Sequence, residues 1–198
     1  MTKRAILLLA TMALTLLVAS GVAWAVNKIG TDGPDTLSGT NSNDNLLGLG
    51  GNDDLFSLGG NDNLLGGPGK DEIFGGNKRR ETSGGEKNMV GGPGNDAIQG
   101  GKGSDNIVAS DGNDLMFDGF ELNPKKDTIY AGEGTDVVFA WNRPAGMDMV
   151  VCGSGYDRVA ADRLDEVARD CEKMSIYHRK FPDAFFESIP ESFFEGLP

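Results

Sequence analysis

A nine-residue period restricts this chain more than any other feature. Gly66-Gly67-Pro68-Gly69-Lys70-Asp71-Glu72-Ile73-Phe74 reads G-G-x-G-x-D-x-U-x with U apolar, and Gly91 to Gln99 and Gly100 to Val108 repeat it. Internal repetition of this kind decides the whole fold. Carried along the chain, the period gives thirteen units. Their sixth positions are Asp35, Asp44, Asp53, Asp62, Asp71, Lys87, Asp96, Asp105, Asp114, Asp127, Asp136, Asp148 and Asp157. Their eighth positions are Leu37, Leu46, Leu55, Leu64, Ile73, Met89, Ile98, Ile107, Met116, Ile129, Val138, Val150 and Val159. With 38% of the chain apolar, thirteen matches in a fixed register arise by chance on the order of a few times in a million. A disordered Gly/Asp-rich segment would not keep such a register.

The spacing carries its own chemistry. Glycine serves where the backbone turns sharply at positive φ. An x-U-x strand sends one side chain inward and two outward. Aspartate then lies where turning carbonyls converge, and Ca²⁺ takes six to eight such hard oxygen donors. One loop cannot supply that many, but two stacked loops can. An EF-hand reading of Asn41, Asn43 and Asn45 fails, because Leu46 falls where that loop requires Gly and Asn52 where it requires Glu.

Between Gly30 and Ala160 these units resemble the hemolysin-type calcium-binding repeats, the RTX family. The resemblance implies an all-β fold, a right-handed parallel β-roll in which each nonapeptide makes a six-residue loop and a three-residue strand. Two units complete a turn, and Ca²⁺ sits between loops of successive turns. The twelve sixth-position aspartates are the implied metal ligands.

If alternate units stack, the two sides of the roll differ. The odd side carries Asp35, Asp53, Asp71, Asp96, Asp114, Asp136 and Asp157, each with Gly two residues before it. The even side carries Asp44, Asp62, Lys87, Asp105, Asp127 and Asp148, with Ser42 and Lys125 breaking the glycine series. The extra residues, Gly75 to Glu81, Asp118 to Glu121 and Ala140 to Asn142, all precede even loops. Lys87 has two readings: an ammonium that spoils the gaps on either side, or a surface lysine beside Lys78-Arg79-Arg80. The resulting expectation is seven calcium sites and at most nine. Among outward positions, Asn45, Asn63, Asn88 and Asn106 suggest an amide ladder. Phe56, Phe74, Phe117 and Phe139 form an apolar stripe that either braces neighbouring strands or meets a partner.

Both ends add information. Lys3 and Arg4, the apolar run from Ala5 to Val18, and Ala23-Trp24-Ala25 make the layout of a secretory signal peptide over residues 1–25. Read as an uncleaved anchor, Ala5 to Val26 is just long enough to span a membrane. Outside the cytosol the two cysteines, Cys152 and Cys171, most simply pair, closing a small cap over residues 161–180. Residues 181–198 form a Phe/Pro-rich tail in which Pro190 interrupts any continuous helix. RTX proteins are often exported by a route that reads a C-terminal signal, and this N-terminus departs from that pattern.

The net charge is −12, which argues against nucleic acid as a partner and favours cations. One histidine, His178, and two cysteines cannot build a Cys/His zinc site or an H-E-x-x-H motif. No G-x-S-x-G is present. Repeats, cap and tail leave no room for a catalytic domain. The reading is a secreted calcium-binding roll with a structural or adhesive role, meeting a protein, a cell surface or another copy through its apolar stripes and tail. A non-catalytic accessory or export passenger for a separate secreted enzyme is the alternative.

Overall fold

The computed structural model describes residues 25–76, 85–119, 125–140 and 146–171, and the backbone of Lys173–Ile176. Residues 1–24, which hold most of the expected signal peptide, His178 and the Phe-rich tail lie outside the described residues. Among the described residues, sixteen strands build two eight-stranded sheets, and every pairing is parallel. One sheet runs β1 (Asn27–Ile29), β3 (Asn45–Leu47), β5 (Asp62–Leu65), β7 (Lys87–Pro93), β9 (Asn106–Asp111), β11 (Thr128–Gly134), β13 (Met149–Gly155) and β15 (Glu166–Val167). The other runs β2 (Thr36–Thr40), β4 (Asp54–Leu58), β6 (Glu72–Phe74), β8 (Ala97–Gln99), β10 (Leu115–Phe117), β12 (Val137–Ala140), β14 (Arg158–Ala161) and β16 (Lys173–Ile176). No helix occurs among the described residues. The protein is an all-β parallel solenoid.

Period-two alternation places the core. All thirteen eighth-position residues are buried, Leu37 the least at 8% exposure, and they stack in register, as in Leu37↔Leu55 and Leu46↔Leu64. First positions complete the interior with small side chains such as Ala109, Ala131 and Cys152. Cys152 and Cys171 form a disulfide, with Cα atoms 5.3 Å apart.

The ladders run past the thirteen units. At the N-terminal end β1 pairs with β3, so Lys28 stands in the eighth-position column opposite Leu46. At the other end Val150↔Val167 and Val159↔Met174 continue both columns through β15 and β16. Three residues expected to open the insertions keep their places in the turns. Gly75 N–H donates to Gln99 O, Asp118 N–H to Phe139 O, and Ala140 pairs with Ala161. The extra residues therefore begin after them.

Outward side chains stack as well. Asn63 Nδ2 donates to Asn45 Oδ1 at 2.8 Å and Asn88 Nδ2 to Asn63 Oδ1 at 3.0 Å, and the ladder reaches Asn27 through Asn45. Phe56 stacks on Phe74 and Phe117 on Phe139, with ring centroids 5.2 and 4.8 Å apart.

Candidate metal centre

The sixth-position aspartates occupy the inner edge where loop becomes strand. Eleven of the twelve are buried, from Asp44 through Asp157, and Asp35 is half-buried in the first turn. A buried carboxylate needs partners, and half of each one has a fixed partner. On the odd side Asp35 N–H donates to Asp53 Oδ1, Asp53 N–H to Asp71 Oδ1, and Asp71 N–H to Asp96 Oδ1, at 2.8–2.9 Å. The series continues through Asp114 and Asp136 to Asp157 at 2.7–2.9 Å. On the even side it joins Val26 to Asp44, Asp44 to Asp62, Lys87 to Asp105, and onward to Asp127, Asp148 and Asp165. Oδ1 is thus a structural bridge between turns.

Oδ2 is different. In Asp53, Asp71, Asp96, Asp114 and Asp136 this atom is buried with no hydrogen-bond partner, in five consecutive odd loops. In the loops of Asp53, Asp71 and Asp96, glycine at the first position leaves the space beside it open, whereas those of Asp114 and Asp136 carry the small Ala109 and Ala131 there. A side chain at Gly48 would collide with Asp53 Oδ2 and the Gly66 carbonyl, and one at Gly91 with Asp96 Oδ2 and the Ala109 carbonyl. A carboxylate oxygen from one turn and a carbonyl from the next therefore face a shared space. At the fourth position Gly94 takes φ +153°, and a Cβ there would strike the Gly69 carbonyl. Only glycine lets these carbonyls stack.

Electrostatics follow the geometry. Burial lifts the carboxyls of Asp71 and Asp136 to about 6, Asp114 to about 7 and Asp96 to about 8. The backbone bond each accepts opposes the rise, and neighbouring carboxylates add to it. A row of hard oxygens that resists carrying its charge alone fits a divalent cation of the Ca²⁺ type.

The remaining site residues divide. Asp35 and Asp44 have Oδ2 already engaged: Thr31 N–H donates to Asp35 at 2.6 Å, Thr40 N–H to Asp44, and both threonine hydroxyls join in. Lys87 is 1% exposed, which excludes the surface reading, and its Nζ donates to Gly85 O at 2.7 Å. Burial raises the Asp62 carboxyl, and the Lys87 charge lowers it.

Two features escaped sequence reasoning. Fifth-position asparagines accept from the following turn, as in Lys70 N–H to Asn52 Oδ1 at 3.0 Å and Thr135 N–H to Asn113 Oδ1 at 2.8 Å. Asn43, Asn52, Asn61, Asn95 and Asn113 recur nine or eighteen residues apart wherever the units are uninterrupted, and that periodicity was the available signal. Asp118 is buried at a first position, and one of its carboxyl oxygens lies within 4.8 Å of one oxygen each of Asp127 and Asp148. Burial and then those two charges push its carboxyl well above the usual range. It stands outside the sixth-position series, so the motif could not reveal it.

Two parallel sheets joined by glycine-rich loops, with carboxylates lining the turns, define a β-solenoid of the metal-binding kind. The chain carries the RTX calcium-binding nonapeptide repeat: the family model matches four times, over residues 29–64, 57–77, 88–117 and 124–142. These repeats bind calcium ions, and the roll they build is a structural calcium-binding fold. No curated protein and no solved structure matches the chain.

Proposed function

We propose that the protein is a secreted, non-catalytic module whose roll folds on calcium held between successive loops, and that its role is structural or adhesive. The observation that carries this reading is the run of five buried Oδ2 atoms without hydrogen-bond partners, Asp53 to Asp136 along one edge. Asp53, Asp71, Asp96, Asp114, Asp136 and Asp157 would hold ions on the odd side, each carboxylate but the terminal Asp157 shared between adjacent gaps. On the even side Asp105, Asp127 and Asp148 are the candidates beyond Lys87. Asp35 and Asp44 would serve as end ligands after exchange of their threonine bonds. The layout of residues 1–25 supports secretion into a calcium-rich compartment. Adhesion would use the apolar stripes and the Phe-rich tail.

Without metal, the stacked carboxylates oppose burial, and one sizeable apolar side chain per nonapeptide does little to offset the ordering of so many glycines. Each ion at ten times its dissociation constant would add roughly 1.4 kcal/mol. Far-UV circular dichroism of the full chain should show disorder in chelator and β-structure in millimolar Ca²⁺. Identical spectra in the two conditions would refute calcium-driven folding.

A further inference from the structure

We propose that Lys87 is a covalently tethered cation that replaces a calcium ion and closes the β5–β7–β9 turns without metal. The inference rests on the calcium reading of the other loops. Lys87 occupies the register position of an aspartate, paired with Asp62 across β5 and β7. It is among the most deeply buried side chains, at 1% exposure. Lysine is almost never buried so completely without a charge partner or acceptor.

Its surroundings are those of the other gaps. The fourth-position glycines stack as elsewhere: a Cβ at Gly85 would strike the Gly60 carbonyl, and one at Gly103 the Gly85 carbonyl. Strand register is kept on both sides, with Asn63↔Asn88 and Asn88↔Asn106. Only the carboxylate bridge is broken, since Asp62 N–H turns to Glu86 O at 3.2 Å. Elsewhere fourth-position carbonyls and sixth-position carboxylates are all acceptors, and a cation must come from solution to join them. Here the ammonium brings the charge with the chain. It donates to the fourth-position carbonyl Gly85 O at 2.7 Å and acts on the Asp62 carboxylate. The Lys87 backbone N–H still meets Asp105 Oδ1 at 2.8 Å, so the even ladder resumes on its far side. An ammonium also repels Ca²⁺, which keeps the adjoining gaps free of metal.

Calorimetric calcium titration of the full chain, with circular dichroism to follow folding, tests this on wild type, K87D and K87M. K87D restores a carboxylate between two turns and should bind one or two more calcium ions than wild type. K87M keeps the length but not the charge. It should leave the stoichiometry unchanged and raise the calcium concentration at the folding midpoint roughly 1.5- to 2-fold, because the loss of one charge-assisted bond is shared over several coupled binding steps. Wild-type stoichiometry in a folded K87D overturns the proposal. If K87D does not fold, a K87M midpoint equal to that of wild type overturns it. A wild-type chain that binds no calcium refutes the calcium reading itself, and the role of Lys87 with it. A wild-type chain that binds calcium beside a K87D that gains none refutes only the role of Lys87.

Discussion

Asp96 separates the structural role of a sixth-position carboxylate from its proposed metal role. Its Oδ1 accepts Asp71 N–H at 2.8 Å, while its own N–H donates to Asp114 Oδ1 at 2.7 Å. Its Oδ2 is buried without a hydrogen-bond partner, and burial lifts its carboxyl to about 8. Asp96→Asn keeps an oxygen for the Asp71 N–H and replaces the charged ligand by an amide. Because the carboxylate is shared by the gaps toward Asp71 and Asp114, calorimetry should show a loss of one to two calcium ions per chain. Asp96→Ala removes the same ligand and also strands the buried Asp71 N–H, costing about 1–3 kcal/mol more in calcium-saturated denaturant unfolding. Without metal at neutral pH the order changes. The wild-type carboxyl must take up a proton to be buried, whereas the amide needs none, so Asp96→Asn should retain more residual β-structure in chelator than wild type. The expected pattern is a crossover, with the Asn variant weaker in calcium and stronger without it. Unchanged stoichiometry, or equal losses in both conditions, would contradict the assignment of Oδ2 as a ligand.

Three further outcomes follow from the same geometry. Ser110 takes φ 95° at a second position where Gly92 and Gly132 also have positive φ, so Ser110→Gly should stabilise the calcium-loaded roll by about 0.5–1 kcal/mol in denaturant unfolding. The disulfide joins residues 19 apart, and reducing it should cost roughly 3 kcal/mol, with hydrogen exchange accelerated in β13 to β16 and unchanged in β2 to β6. In the metal-free chain, carboxyls raised to about 6–8 make folding most favourable below their unfolded value of 3.8 and progressively less so as pH rises through their folded values. Circular dichroism in chelator should therefore gain β-signal from about pH 8 down to about pH 5, and a flat profile would count against buried carboxyls as the barrier to metal-free folding.

Legibility in the sequence tracked the regularity of the local chemistry. The eighth-position column could be read because burial on one face demands an apolar residue every time, from Leu37 to Val159. The sixth-position aspartates could be read because the bridge to the preceding turn needs a short side chain with an oxygen at a fixed distance. At the ends the demand relaxes. Lys28 stands exposed in the eighth column of β1, so no apolar residue marks that position. Asp165 and Val167 take sixth- and eighth-position places in the last loop, but the step from Asp157 to Asp165 is eight residues, and no glycine announces the turn. The engagement of Asp35 and Asp44 by Thr31 and Thr40 was equally hidden, since threonine at a second position reads as ordinary variation until its hydroxyl is seen on the carboxylate.

The side-chain ladders give the roll a direction that the parallel sheets alone do not. A sixth-position N–H is satisfied by the aspartate of the following turn, as Asp136 N–H is by Asp157 Oδ1. A fifth-position N–H is satisfied by the asparagine of the preceding turn, as Asn113 N–H is by Asn95 Oδ1. Each turn thus depends on both neighbours, through different atoms. At the N-terminal end Thr31 donates to Asp35, and Asp44 takes both Thr40 and the Val26 N–H. At the C-terminal end Asp148 is the last repeat aspartate on the even side, and its buried N–H would lack an acceptor. Asp165 supplies that acceptor at 3.0 Å, and its second oxygen takes Asp162 N–H at 2.7 Å. The disulfide ties Cys171, just beyond β15, to the buried first-position Cys152. The last turn is therefore closed by a covalent link and a carboxylate that serves the backbone, at the end where the ladder of Asp Oδ1 bridges would otherwise stop without an acceptor.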